Sequence, residues 1–553
     1  MWLINNHTKK LEFIQNPKKG SYAILSHTWG DDEISFQKFQ QYEDGMPGQQ
    51  ATKTQGLQKI LKTCELARER NLGHSWVDTC CIDKLSSAEL SEAINSMFRW
   101  YRNAAVCFVY LSDLAPGAFF ECDLAACRWL KRGWTLQELI APRHVEFYDR
   151  AWNKTSSKAE SLDLLFFCTG IEQGVLEDAA SLPQIPVARR MSWASMRKTT
   201  RVEDMAYCLM GIFDIHMPMI YGEGAKAFFR LQEEIAKQSC DLSLFAWISD
   251  VPFDRDEDDH DDDDRARAKG QKEEYRGLFA RSPREFFRSG NLHHVATGGL
   301  IERGFTITNR GIRMRTSLIN AAVAEGDSVL NLNIATAPRT DRANHGMWMG
   351  VILAKTPLGY VRRRPDLLCR VKVDLSHTHE RKEISIRKDV SSSEKAVLAD
   401  RFLHSIYYQS VPRGWRLLNV RPTPLWDDAR CLFLHQAGGI SATMRWQAIS
   451  CGSQKFHVVV VCSTFGEPRC QVWTEHDEAY NKIVYNHLRR KTELLGDYAV
   501  NESASQSYDR PLATFQCNCR KHLVRVTARL MPGEYEGSKA YFLDFSSSRE
   551  DLD

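Results

Sequence analysis

The chain has 553 residues, a formal charge of +3 and a hydrophobic fraction of 43%. That length exceeds one ordinary hydrophobic core and sets an expectation of two or three domains. The near-balanced charge removes any global argument for nucleic acid or an anionic membrane as a partner. The longest apolar runs, such as residues 458–462, are far too short to span a bilayer.

Met1-Trp2-Leu3-Ile4-Asn5-Asn6-His7 lacks the basic start and apolar core of a secretory signal. Sixteen scattered cysteines, with Cys80 and Cys81 adjacent, therefore read as reduced thiols of a cytoplasmic protein. Tyr22-Ala23-Ile24-Leu25 is a strand-like run ending in Ser26-His27-Thr28-Trp29-Gly30. Residues 56–71 carry Leu57, Ile60, Leu61 and Cys64 on one face, with Asn71 and Gly73 as stop signals, and predict a helix. Ser75-Trp76-Val77 is a second strand-like run ending in Asp78-Thr79-Cys80-Cys81-Ile82-Asp83. Ser86-Ser87-Ala88-Glu89 is a capping box for a helix with Leu90, Ile94, Met97, Phe98 and Tyr101 as its stripe. Val106-Cys107-Phe108-Val109-Tyr110-Leu111 follows and ends in Ser112-Asp113. Thr200-Arg201-Val202-Glu203 is a second capping box, its helix carrying Met205, Ala206, Leu209 and Met210 and closing at Gly211.

Strand, helix, strand in this order favours a parallel, doubly wound α/β sheet. Ligands of such sheets bind beyond the carboxyl ends of the strands, so three strands with polar ends predict one shared site. Residues 254–264 are almost all acidic, and 251–274 together read as a charged linker or loop. Beyond it, strand-like runs at 304–308, 328–334, 348–353, 456–462 and 522–530 predict a mainly β domain over 275–553, as a sandwich or a barrel. No repeat of fixed period is present.

Several blocks of residues 1–250 resemble the fungal heterokaryon-incompatibility (HET) domain. They are Tyr22–Gly30, Trp76-Val77-Asp78-Thr79-Cys80-Cys81-Ile82-Asp83-Lys84 with residues 86–95, and Arg132-Gly133-Trp134-Thr135-Leu136-Gln137-Glu138-Leu139-Ile140-Ala141-Pro142. Arg190-Met191-Ser192-Trp193-Ala194, Thr199-Thr200-Arg201-Val202-Glu203-Asp204 and Tyr221-Gly222-Glu223-Gly224 complete the set; His74 stands where the family has a tyrosine. Gly277-Leu278-Phe279-Ala280-Arg281-Ser282-Pro283 resembles the start of the region that often follows a HET domain. The resemblance implies a role in non-self recognition, in which incompatible fungal cells that fuse undergo regulated death. HET domains are distantly similar to TIR domains, many of which cleave NAD with one glutamate. That implies a TIR/flavodoxin-like fold, Glu138 as the catalytic carboxylate, no required cofactor and NAD as substrate. It also implies self-association through the HET domain and a partner protein of unknown identity. The competing expectation is a non-enzymatic module that recruits a downstream executioner by homotypic contact.

Each candidate side chain has a plainer role beside the chemical one. Glu138 can stabilise the oxocarbenium character that builds when a nicotinamide–ribose bond breaks, or can cap or pair on a short helix ended by Pro142. Ser26, His27, Asp78 and Thr79 can line a pocket, with Asp78, Thr79 and Asp83 placed to hold ribose hydroxyls; Asp83 can instead cap a turn. Cys80 or Cys81 with His27 as base would make a cysteine hydrolase, or the thiols are simply buried. Trp29, Trp76 and Trp134 can stack on a base, although core packing is the commoner use of such aromatics. Tyr221-Gly222-Glu223-Gly224 reads as a tight turn rather than a phosphate cradle, since Glu223 would repel phosphate. Cys517-x-Cys519-x-x-His522 lacks a fourth zinc ligand at standard spacing, so no metal is expected. Arg362-Arg363-Arg364 and Arg489-Arg490-Lys491 read as solvated surface.

Overall fold

The computed structural model describes residues 1–43, 54–249, 273–295, 304–320, 327–336, 347–372, 381–399, 402–408, 414–434, 439–449, 455–464, 468–474, 512–516 and 522–551. A mixed α/β unit comes first and a mainly β region follows. The acidic run 254–264, the Cys517-x-Cys519 pair and Arg489-Arg490-Lys491 lie outside the described residues.

The first unit is built on a seven-stranded sheet. Its strands are β1 (Trp2–Asn5), β2 (Leu11–Phe13), β3 (Tyr22–His27), β4 (His74–Trp76), β5 (Val106–Tyr110), β6 (Val145–Tyr148) and β7 (Lys154–Ser157), in the spatial order β2-β1-β4-β3-β5-β6-β7. The central strands β4, β3, β5 and β6 are parallel, while β1 and β7 join antiparallel at the flanks. Every residue of β3 and of β5 is buried. This is why both read as unbroken apolar runs: parallel strands covered on two faces have no solvent side for polar residues to occupy. The register sets Ser26 beside Val109 and His27 beside Tyr110, so the polar ends of β3 and β5 emerge next to each other.

Helix α1 spans Phe36–Glu43, α2 Gln55–Glu69 and α3 Ser87–Asn103. Thr54 caps α2 by accepting from Leu57 N at 3.4 Å, and Asn71 leaves the helix with φ of 59°. Ser86 caps α3 as the sequence predicts, accepting from Glu89 N at 3.3 Å. The return half of the box differs: the Glu89 carboxylate accepts from Asp83 N at 3.0 Å, which ties the β4 loop to the helix start. The second expected capping box does not form. Glu203, not Thr200, occupies the N-cap, and the segment makes two short helices, Asp204–Tyr207 and Met210–Phe213.

One buried apolar cluster runs from Met1 to Ile386, so the strands after residue 275 complete the core of the first unit. The join is chemically specific. The Gln232 amide, on the helix Lys226–Gln238, donates to Ala280 O at 2.8 Å and accepts from Ala280 N at 2.9 Å. Trp247 donates its indole N–H to Leu278 O at 2.8 Å and lies under the guanidinium groups of Arg362 and Arg276, at 3.9 and 4.6 Å. Arg362 is fully buried and bonds the carbonyls of Phe245 and Trp247. It is therefore not solvated surface: on the strand Gly359–Arg363 it faces inward, and its planar cation stacks where an ammonium would be desolvated without return.

Among the described residues the β region holds a ten-stranded, a six-stranded and a four-stranded sheet. A second core takes residues from the six- and four-stranded sheets, with Trp446 stacked on Phe545 at 5.1 Å and 21°. The two sheets thus face each other as a sandwich.

Candidate functional site

The strand ends of the first unit converge on two adjoining clusters, one buried and one open. The buried cluster centres on Glu138. The helix Thr135–Ile140 carries it, and the residue is 7% exposed. Ser26 Oγ, at the end of β3, donates to Glu138 Oε2 and accepts the indole N–H of Trp129 at 2.7 Å. Tyr101 hydrogen-bonds the same carboxyl, and its hydroxyl lies 3.0 Å from Leu25 O. Burial pushes the Glu138 carboxyl up to about 8; the Ser26 bond opposes this, and the neighbouring Asp78 charge adds to it. At neutral pH Glu138 is mainly protonated.

Two buried cations hold the helix that carries it. Arg197 donates to Arg132 O at 2.9 Å and to Thr135 Oγ1 at 3.0 Å at its start. Lys158 donates to Leu139 O at 3.1 Å and to Pro142 O at its end, where helix carbonyls lack partners. Burial pulls the Lys158 ammonium down to about 8.

The open cluster centres on Asp78, whose side chain is 21% exposed. His27 Nε2 lies 3.0 Å from Asp78 Oδ1, and Trp29 donates its indole N–H to Asp78 Oδ2 at 2.8 Å. Burial raises the Asp78 carboxyl, but the His27 bond and charge, Lys84 and the Trp29 N–H outweigh it and hold it at about 2. On its other side His27 Nδ1 is 3.3 Å from Lys59 Nζ, and Lys59 also bonds the Glu33 carboxylate. The Asp78 carboxylate can only accept, so the proton on Nε2 faces it. Lys59 is 2% exposed in the middle of α2; without Glu33 its burial would cost several kcal/mol.

The site residues expected from the sequence therefore divide. Ser26 and Glu138 meet in the buried cluster; His27, Trp29 and Asp78 meet in the open one. Thr79 is 2% exposed, and its hydroxyl finds no hydrogen-bond partner among the described residues. Asp83 is engaged by the loop itself, accepting from Gln37 Nε2 at 2.6 Å and Leu85 N at 3.0 Å, which is the turn-capping role. Trp76 is fully buried against Trp100 and Tyr101. Trp134 donates to Asp204 at 3.3 Å. Cys80 and Cys81 are buried, and burial drives the Cys80 thiol far up. With both His27 nitrogens engaged, no thiolate–imidazole pair forms.

Other sequence blocks turn out to be a fastening. Glu203 Oε1 accepts from Gly222 N at 2.8 Å and Gly224 N at 3.0 Å, so the glycine turn cradles the protein's own carboxylate. Asp204 accepts from Tyr221 Oη at 3.0 Å as well as from Trp134, and Arg201 lies 4.4 Å over the Tyr221 ring. Gly133 closes the seam, since a Cβ there would meet Thr199 Cγ2 at 2.6 Å.

Sequence reasoning missed Lys59, Glu33, Lys84, Tyr101, Arg128 and Trp129. Lys59 had a signal: it falls in line with Gly56 and Thr63 on a buried stripe of α2, where a charged residue needs a partner.

Residues 22–123 match the family described as heterokaryon incompatibility protein (HET), and residues 226–383 match a domain of unknown function, DUF8212. The first match contains Ser26, His27, Trp29, Asp78, Thr79 and Asp83 and ends before Glu138. Over 224 residues the chain is 46% identical to the vegetative incompatibility protein HET-E-1 of Podospora anserina, covering 39% of this chain and 16% of that protein. No solved structure matches.

Proposed function

We propose, for a chain that carries a heterokaryon-incompatibility domain over residues 22–123, that it is an effector of vegetative incompatibility which triggers regulated cell death by cleaving the nicotinamide–ribose bond of NAD. The 46% identity to a vegetative incompatibility protein supports the cellular role. The observation that carries the chemistry is a pair of carboxyl groups at the strand ends whose environments drive them apart, Glu138 up to about 8 and Asp78 down to about 2. Split carboxyl pairs of this kind are how sites separate an acid from a permanent anion. The parallel strands run β4-β3-β5-β6, and reading this as a flavodoxin-like order supports a ligand beyond the β3 and β5 ends.

Nicotinamide leaves as a neutral ring and needs no proton, while positive charge builds on the ribose. A pyridinium bound beside Glu138 lowers its pKa and releases the proton to solvent, leaving a carboxylate where the oxocarbenium charge develops; water then adds to the ribose carbon and gives up a proton to solvent. Asp78, already ionised, orients His27 and takes ribose hydroxyls. Because the free protein holds Glu138 protonated, kcat/KM should rise with pH to a plateau above about 8. Following NAD and its products by chromatography, for the full chain and Glu138→Gln, tests the reading. NAD consumption at equal rates by both proteins would remove Glu138 from it.

A second reading has its own observation. Phe166 and Phe167, on the helix Leu162–Thr169, are 45% and 86% exposed, while the Glu138 carboxyl is enclosed by its own chain. A non-enzymatic module that recruits an executioner, or self-associates, would use such a face. In that case Glu138→Gln still kills fungal cells, and Phe167→Ser does not.

A further inference from the structure

Trp29 stands at the mouth of the site with 41% of its surface exposed, although its indole N–H is fixed on Asp78 at 2.8 Å. Two cations touch this one residue. The Lys84 ammonium sits 3.7 Å from the centroid of its ring, and Arg128 Nη2 donates to its carbonyl at 3.4 Å. Among the described residues neither cation forms an ion pair, whereas the buried Lys59 behind them is matched by Glu33. The Arg128 backbone N–H is fixed by Asp113 Oδ2 at 2.7 Å, so its guanidinium projects from a held base. The Thr28 and Ser112 hydroxyls, at the ends of β3 and β5, lie 3.4 Å apart beside this mouth.

An indole 41% exposed, beside two cations that form no ion pair among the described residues, suits a planar base joined to phosphate. Aromatic faces hold bases by stacking whatever their sequence identity, and guanidinium and ammonium groups take phosphate oxygens in charge-assisted bonds. We infer that Trp29, Lys84 and Arg128 form a subsite for the base and phosphates of a nucleoside diphosphate, placed outside Asp78 and Glu138. The inference rests on the nucleotide reading above and adds to it the residues that select phosphorylated over unphosphorylated substrates. Lys84 leaves the indole face to meet phosphate, so the ligand replaces one internal contact with two.

The test is calorimetric titration of the full chain with ADP, adenosine and inorganic pyrophosphate. ADP lacks the nicotinamide bond, so its binding is read independently of cleavage. Lys84→Ala and Arg128→Ala should each weaken ADP by about tenfold while leaving adenosine unchanged. Trp29→Ala should weaken both ADP and adenosine, and Lys84→Arg should retain ADP. ADP affinity should also fall as salt rises. Thermal melting of each variant checks the fold; all three side chains lie at the mouth, so melting should stay near wild type. No ADP binding, or ADP binding indifferent to Lys84 and Arg128, overturns the subsite. If pyrophosphate binds as tightly as ADP, the ring contact on Trp29 is wrong. ADP binding as described without any NAD consumption keeps the subsite and removes the hydrolase; NAD consumption with ADP binding insensitive to both cations does the reverse.

Discussion

Two charged clusters in this molecule follow opposite plans. Asp327, with a fully enclosed side chain, gives one oxygen to Arg363 and the other to Arg430, each at 2.8 Å, and Arg430 also holds Asp427 at 3.1 Å. Every charge there has a fixed opposite, and the cluster joins the ten-stranded sheet to the segment carrying Asp427 and Arg430. At the ends of β3 and β4 the balance is different. Asp78 faces a histidine and an indole, Glu138 is held as a neutral acid, and among the described residues Lys84 and Arg128 form no ion pair. A saturated cluster can only be broken, so it behaves as a fastener. An unsaturated one can exchange its internal partners for those of a ligand, which is what a site requires.

Single substitutions can sharpen or break that contrast. The largest effect should come from Glu138→Gln, which should lower NAD turnover by about a hundredfold or more while melting near wild type at neutral pH, measured by product chromatography and calorimetry. Asp327→Asn should act the other way, leaving two guanidinium groups against a neutral amide and losing about 3–5 kcal/mol in denaturant unfolding. A smaller loss in Asp327→Asn than in an exposed pair such as Arg313–Glu383 would end the description of Asp327 as a fastener.

Gly133→Ala should cost about 1–3 kcal/mol, because the added Cβ must push Thr199 Cγ2 from 2.6 Å and Cys208 Sγ from 3.0 Å. The pH dependence is subtler. The Glu138 carboxyl has an ordinary value of 4.5 and is raised to about 8 in the folded chain. The folded state therefore holds a proton the unfolded chain has lost. The stability this provides is full below 4.5 and is lost as pH rises through 8. Glu138→Gln has no such proton, so its melting temperature should rise relative to wild type across that window; a constant difference would place Glu138 outside the enclosed cluster. The smallest effect should be that of Phe167→Ser, within about 0.5 kcal/mol, since the ring is 86% exposed.

Much of the frame was legible in the chain. The apolar runs at Tyr22 and Val106 became fully buried parallel strands, and Ser86 capped α3. The alternating runs beyond residue 304 became strands such as Phe305–Thr308, Ser328–Thr336 and Met347–Thr356. Periodicity and caps are short-range properties: a residue's neighbours within a turn or a pleat decide them, so they can be read from spacing. The pairing of polar groups is not of that kind. Ser26 meets Glu138 across 112 positions, Asp78 meets His27 across 51, and Arg362 reaches Phe245 O across 117. Spacing alone could not show that the Gly222–Gly224 turn would hold Glu203 in place of a phosphate, or that Asp83 would bond Gln37 and its own loop. The sequence by itself determined the central strands β3, β4 and β5, the helices α2 and α3, and that polar residues gather at those strand ends. Only the tertiary structure decided which of those residues are joined to one another and which stand open, because hydrogen bonds act over about 3 Å and only packing brings distant residues that close.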